Sequence, residues 1–208
     1  MSTNERILSP FTLPNGTELK NRLLMAPMTT CTGYYDGTVT SELVEYYRAR
    51  AGSIGTIIVE CCFVDDLGLA FPGAIGIDND EKIAGLAKIA DAIKSKGSKA
   101  LLQIYHGGRM VDPKLIGGRT PVGPSAVAAP RDGAATPVAL TSEEVEGMIG
   151  KFGEAVRRAI QAGFDGVEIH GANTYLIQQF YSPNSNQRDD EWGGSRDNRA
   201  KFPLAVLD

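Results

Sequence analysis

The chain has 208 residues, of which 42% are hydrophobic and 22% are charged. This is the composition of a folded globular protein, and the length is sufficient to bury a substantial core. The formal net charge of -4 and the pI near 5.3 come with no basic stripe or polybasic run, so the sequence argues against nucleic-acid and membrane-surface partners. We expect the partner to be a small molecule.

Signals for export, membrane insertion and crosslinking are sparse. The N-terminus has no positively charged segment followed by a long apolar run, and no stretch reaches membrane-spanning length, so we expect a soluble, cytoplasmic protein. The cysteines, Cys31, Cys61 and Cys62, are an odd set without CxxC spacing, and only His106 and His170 could join them. A disulfide scaffold and a metal site are therefore not expected.

The predicted elements alternate between strands and helices along the chain. An Asn-Gly pair predicts a small hairpin within residues 10–20. The following elements are predicted from apolar runs, helical periodicity, caps and glycine stops: strand 22–28, helix 40–51, strand 56–64, helix 78–97, strand 99–106, helix 141–163, strand 165–170 and the start of a helix at 196–208.

Two features of the second half are notable. Residues 107–140 are rich in Gly and Pro without periodicity, and a loop of this length is more often a lid or binding loop than a connector. Thr141 and Glu144 then form a capping-box pattern, and the expected buried side of the helix they begin extends from Val145 to Ile160.

Repeated strand-helix units without further antiparallel signals favour a parallel sheet with crossover helices. The first strand is not followed by a GxGxxG loop, which argues against a doubly wound sheet. Polar residues gather after the strands instead, as in a (β/α)8 TIM barrel. Because eight units need roughly 250 residues, we expect residues 1–208 to be a single domain forming the N-terminal four units, a half barrel preceded by a hairpin and truncated after the fourth strand.

The open edge and uncovered apolar face of such a half barrel would allow self-association.

Candidate functional residues lie at or after the end of each strand. Thr29 follows the first strand, Cys61 lies at the second, and Gln103 and His106 lie at the third. The fourth strand is followed by the HGANTY segment, which carries His170, Asn173 and Tyr175 at its first, fourth and sixth positions.

Five segments together resemble the Old Yellow Enzyme family of flavin-dependent ene-reductases, also described as NADH:flavin oxidoreductases. They are NRLLMAPMTT, GTIIVE, LLQIYHGGR, TPVGPSAV and HGANTYLIQQFYSPNSNQRDDEWGGSRDNR, in that order. The resemblance implies a (β/α)8 barrel carrying FMN at the carboxyl ends of its strands. It also implies hydride transfer from NADH or NADPH, through the flavin, to the C=C bond of an α,β-unsaturated carbonyl compound.

The resemblance also implies roles for individual residues. Pro27 and Met28 would supply backbone under the flavin ring, and Thr29 would hydrogen-bond the flavin carbonyl beside the hydride-carrying nitrogen. Cys61 would lie against the flavin, and Gln103 would bind the pyrimidine edge of its ring.

The implied substrate site is the HGANTY segment. His170, which also lies at the cofactor, and Asn173 would donate to the substrate's carbonyl oxygen, and Tyr175 would donate the proton. Thr174 replaces the family's usual glycine, so we expect its backbone to avoid conformations that glycine alone tolerates.

Several alternatives stay open. The chain could be a truncated, non-catalytic half barrel that binds flavin weakly or not at all, or the front of a dienoyl-CoA reductase-like fusion. His106 and Arg109 could contact flavin or substrate, or could fix the long loop. Arg188, Asp189 and Asp190 are expected to pin the loop that carries the site.

Overall fold

The computed structural model describes residues 3–208. Its helices, in chain order, are α1 Thr3–Leu8, α2 Ser41–Arg50, α3 Ile83–Lys94, α4 Ser142–Gln161, α5 Leu176–Tyr181 and α6 Arg196–Leu207. Its strands are β1 Phe11–Thr12, β2 Glu18–Leu19, β3 Leu24–Met25, β4 Thr56–Phe63, β5 Lys99–Tyr105, β6 Val122–Gly123, β7 Val138–Ala139 and β8 Gly166–Ile169. No helix within this range is long and apolar enough to cross a bilayer.

The central sheet has four parallel strands in the order β3-β4-β5-β8, which is also their order along the chain. Helices α2, α3 and α4 connect successive strands and share one core with the sheet. Ile57, Leu102 and Ile104 are completely buried in this core, and burial of each such side chain contributes about 1.5–3 kcal/mol. The carboxyl ends of all four strands consequently lie at one edge of the sheet.

A β-bulge interrupts β4 beside this edge. Pairing with β5 shifts between Val59 and Cys62, because β4 has one more residue there than its partner strand. Cys62 returns to the helix-facing core with Val59. Cys61 joins a second apolar cluster that includes Phe63. The bulge therefore places Cys62, rather than Cys61, on the helix-facing side with Val59.

The helix caps follow the sequence closely. Thr141 Oγ1 accepts from the Glu144 N–H at 3.2 Å, and the Glu144 carboxylate accepts from the Thr141 N–H at 2.8 Å, which confirms the capping box. At the start of the predicted helix 78–97, Asn79 is the cap residue, because its side chain accepts from the N–H of Glu81. A 3₁₀ turn then leads into α3.

The prediction for the buried side of α4 is wrong at its end. Ile160 is 64% exposed, whereas its neighbour Ala159 is fully buried. The stripe on α4 continues at spacings of three and four residues through Ala155 to Ala159, and Ile160 lies one position, or about 100°, off that stripe. Helical geometry places the smaller side chain against the sheet.

Other elements are shorter than predicted or were not predicted. The hairpin exists as β1 and β2, but each strand has two residues, and β3 covers only Leu24–Met25 of the predicted 22–28. The helices α1 and α5 have six residues each, too few for a periodic signal. Within the long loop, β6 and β7 form a parallel pair that joins its middle to its C-terminal end.

Candidate functional site

An aromatic cluster forms at the carboxyl edge of the sheet, around the end of β8. The ring centroids of His170 and Tyr175 are 4.8 Å apart and nearly perpendicular, and Tyr105 lies 5.3 Å from Tyr175 and 6.3 Å from His170. Phe71 covers Tyr175 from the β4 side at 6.3 Å. The structure thus brings two of the three predicted catalytic residues together. It adds Tyr105 and Phe71, which the sequence did not single out.

The hydrogen bonding of His170 determines which ring nitrogen is a donor. The N–H of Ala172 donates to Nδ1 of His170 at 3.3 Å, so the proton of the neutral ring belongs on Nε2. Burial lowers the pKa of His170 below its usual value, against the smaller effect of the Glu168 charge. At neutral pH the ring is therefore uncharged, with an N–H available at Nε2.

Tyr175 has the protonation state that a proton donor needs. Burial, together with the nearby Cys61, raises the pKa of Tyr175 to about 12. Its phenol consequently keeps its proton throughout the physiological pH range. Tyr175 also precedes α5 as its N-terminal cap residue, so the orientation of this helix and that of the phenol are linked.

The backbone at Asn173 and Thr174 contradicts the sequence expectation. Both residues adopt the left-handed conformation, with φ of 54° and 62°. This region costs a non-glycine residue about 1–2 kcal/mol. Two side chains of α5 offset the cost, because Gln178 accepts from the Thr174 N–H and Gln179 donates to the Thr174 carbonyl. Threonine is thus held in a conformation that glycine would adopt freely.

Thr174→Gly should therefore leave the protein equally stable or raise its free energy of unfolding by up to about 1 kcal/mol, since relief of strain exceeds the added flexibility of the unfolded chain. Thermal unfolding of the two proteins would measure this change. Gly171→Ala, nearby in the same exposed segment, is a suitable control for the effect of substitution there. If the free energy of unfolding of Thr174→Gly were lower by more than 1 kcal/mol, Thr174 would not be strained in the folded protein.

Asn173 differs from its two predicted partners in exposure. Its side chain is exposed and makes no hydrogen bond within residues 3–208. Its amide is therefore free to contact a ligand, and a direct role at the substrate stays a prediction.

The end of β3 reaches the end of β4 through Thr29. Its Oγ1 lies 3.4 Å from Sγ of Cys61. Burial raises the pKa of Cys61 to about 11, so the residue is a neutral thiol and behaves as a small apolar side chain. Pro27 is half-buried and Met28 is 63% exposed, which leaves this backbone segment open to a ligand.

Glu60, which sequence reasoning did not select, supports the segment that carries Thr29. Its carboxylate is fully buried, accepts from the N–H of Thr30 at 3.2 Å and from the hydroxyl of Tyr47 at 3.2 Å, and its own N–H donates to that hydroxyl at 2.8 Å. Burial raises the pKa of Glu60. The sequence signal that could have identified Glu60 is an acidic residue inside the apolar run TIIVE.

Gln103 is buried at 9% exposure, and its Nε2 donates to Oε1 of Glu168 at 2.7 Å. Glu168 was not predicted, although it lies two residues before His170 and therefore on the same face of β8. The Oε1 of Gln103 accepts no hydrogen bond in the described part of the chain. This oxygen is not one of the fully enclosed polar atoms without a partner, so it is accessible to a ligand.

His106 and Arg109 fix the long loop, which was one of the two alternatives for them. The Nδ1 of His106 accepts from the N–H of Gly108 at 3.0 Å, and its ring is fully buried. The Nη1 of Arg109 donates to the carbonyls of Val127 and Ala128, each at 3.2 Å.

The segment after α5 is an internally bonded brace, which we define as residues 182–195. Arg188 donates to both Asp190 and the carbonyl of Pro124, as expected for a loop that is pinned. Asp189 is exposed and makes no hydrogen bond or ion pair among the described residues, so its predicted part in the brace is wrong. Gly193 is essential in packing, because a Cβ there would lie 2.3 Å from Cβ of Arg188.

The residues at this edge fit the ring of FMN. The unpaired oxygen and remaining N–H of Gln103 suit the imide edge of an isoalloxazine. Thr29 offers a hydroxyl, and the neutral Cys61 offers a small apolar surface. These residues would hold the ring portion of the cofactor, and their individual roles stay predictions.

Comparison with known proteins gives consistent results. A model of the NADH:flavin oxidoreductase / NADH oxidase family matches residues 6–208. The chain is 88% identical over 208 residues to the NADH:fumarate oxidoreductase of Klebsiella pneumoniae (strain 342), a match that covers 100% of this chain and 22% of that protein. It is 59% identical over 202 residues to the NADH:acrylate oxidoreductase of Vibrio harveyi, a match that covers 97% of this chain and 20% of that protein.

Among solved structures, the old yellow enzyme homologue from Zymomonas mobilis has a TM-score of 0.88 and 35% identity, covering 96% of this chain and 58% of that one. The chain thus spans about a fifth of the length of the two relatives and just over half of this barrel.

These matches confirm the resemblance to the Old Yellow Enzyme family and the predicted half of a (β/α)8 barrel. They also confirm FMN as the cofactor expected for such a protein, with NADH or NADPH as its reductant. The chain belongs to the NADH:flavin oxidoreductase / NADH oxidase family.

Proposed function

We propose that the protein containing this chain transfers hydride from NADH or NADPH, by way of FMN, to an alkene conjugated to a carbonyl or carboxylate group. The observation that carries the proposal is the pairing of a neutral His170 with a protonated Tyr175, whose ring centroids are 4.8 Å apart beside the predicted flavin residues. The two relatives named for fumarate and acrylate support the substrate class, since both acids are alkenes conjugated to a carboxylate.

The side chains have complementary tasks in this reaction. FMN, when bound, supplies the hydride that reaches the β-carbon of the alkene. As that bond forms, negative charge develops on the carbonyl oxygen, and the Nε2–H of His170 and the amide of Asn173 stabilise it by hydrogen bonding. The phenol of Tyr175 then delivers a proton to the α-carbon.

The test uses the full-length protein that contains this chain. It should purify yellow with FMN, oxidise NADH anaerobically, and do so continuously only when an acceptor such as acrylate, fumarate or 2-cyclohexenone is present. The reduced product can be identified by mass spectrometry. A colourless protein that takes up no FMN would contradict the proposal.

A second candidate function follows from the lengths of the matches. This chain covers only 22% and 20% of the relatives named for fumarate and acrylate. Their remaining length leaves room for other redox domains, so the barrel could oxidise NADH and pass electrons to a domain that reduces the unsaturated acid. In that case substitution of Tyr175 would leave reduction of the acid unchanged.

A further inference from the structure

Gln103 and Glu168 are directly paired across two neighbouring strands. The register of β5 and β8 sets Gln103 opposite Glu168, so their side chains extend from the same face of the sheet. That face continues to His170, directly after β8, and to Tyr105 on β5, both in the aromatic cluster. The pair therefore lies immediately below the site.

The hydrogen bond between them has only one possible polarity. A carboxylate accepts hydrogen bonds and cannot donate them, so the NH2 end of the Gln103 amide must face Glu168. The two ends of a glutamine amide are otherwise almost interchangeable in shape. The contact with Glu168 thus determines that the carbonyl oxygen of Gln103 points away from β8.

No other charged group competes for this carboxylate. Within residues 3–208, Glu168 forms no ion pair, and Gln103 is the residue whose side chain donates to it. The 2.7 Å distance is typical of a charge-assisted hydrogen bond. The amide of Gln103 is therefore held in one orientation before a ligand arrives.

We propose that Glu168 is a positioning residue that orients the Gln103 amide and so makes the site selective for a ring edge with an N–H beside a carbonyl. In this orientation Gln103 presents an acceptor and one remaining N–H donor. The imide edge of an isoalloxazine, in which N3–H lies between two carbonyl groups, is complementary to that pair. The inference rests on the proposed FMN site and assigns its selectivity to a residue that does not itself need to touch the cofactor.

The test compares FMN with N3-methyl-FMN, which cannot donate from N3. Both dissociation constants are measured by fluorescence titration of the full-length apoprotein. We expect the wild-type protein to prefer FMN by about 100-fold, the effect of leaving the Gln103 oxygen unpaired. In Glu168→Gln, whose amide can donate or accept, the preference should fall to about 10-fold. The fall should come from a larger dissociation constant for FMN, whereas the dissociation constant for N3-methyl-FMN should change little.

Gln103→Ala provides an independent route. It keeps the carboxylate but should lose the same preference, and adding Glu168→Gln to it should change the FMN dissociation constant less than about twofold, because the two residues act through one contact. Thermal unfolding of each apoprotein serves as the control for folding.

The possible failures are distinguishable. An unchanged preference in Glu168→Gln, or additive effects of the two substitutions, would overturn the inference while the proposed function stands. A wild-type protein that binds neither flavin would overturn both.

Discussion

Replacing Tyr175 with phenylalanine should slow reduction of the alkene by about 10²- to 10⁴-fold, the usual contribution of a positioned general acid. The half-reaction with NADH should change little, because it requires no proton from this phenol. Phenylalanine keeps the ring that packs on His170 and Tyr105, so the site should retain its shape. Stopped-flow absorbance of the two half-reactions, measured separately, distinguishes these effects.

The control for this experiment is Tyr46→Phe. Tyr46 lies on α2, packs against Tyr47 and is covered by the guanidinium of Arg50, away from the aromatic cluster. The Tyr46→Phe substitution also removes a phenol hydroxyl, but away from the site, and should leave the rates of both half-reactions unchanged. Equal slowing of both half-reactions in the Tyr175 variant would argue against a proton donor. Full retention of alkene reduction would favour the second candidate function.

Asn186→Ala should destabilise the protein by about 3 kcal/mol, because it leaves buried carbonyl groups without donors. Asn186 is 4% exposed, and its Nδ2 donates to the carbonyls of Phe180 at 2.6 Å and Trp192 at 2.8 Å. Its Oδ1 accepts from the N–H of Arg188. One side chain thus connects the end of α5 to both halves of the brace.

Thermal unfolding should register this loss as a decrease of about 6–12 °C in the melting temperature of the barrel. Asn184→Ala is the matched control, since that side chain is exposed in the same segment and its loss should change stability by less than about 0.5 kcal/mol. If the two alanine variants melt together, Asn186 does not hold the brace.

The order of strands and helices could be predicted because each depends on neighbours along the chain. The Thr141 and Glu144 cap needs only residues three apart, and the apolar run of β4 is readable from its β-branched side chains. The HGANTY segment likewise keeps its candidate catalytic residues within six positions. These are local patterns, and periodicity and spacing are sufficient to detect them.

The errors and omissions have a common physical cause. Ile160 and Ala159 differ in burial because the sheet determines which side of α4 faces inward. The left-handed backbone of Thr174 depends on bonds from α5, a helix too short to predict. In each case the deciding contact comes from another element.

The amino-acid sequence by itself thus determined the alternation of elements, the helix caps, the family and the candidate residues at the strand ends. Only the tertiary structure decided their partners. Gln103 meets Glu168, 65 positions away in the chain, because of the register of β5 and β8. Glu60 holds the backbone of Thr30 because parallel strands bring their carboxyl ends to one edge. Such contacts follow from strand register and packing, which no local pattern specifies.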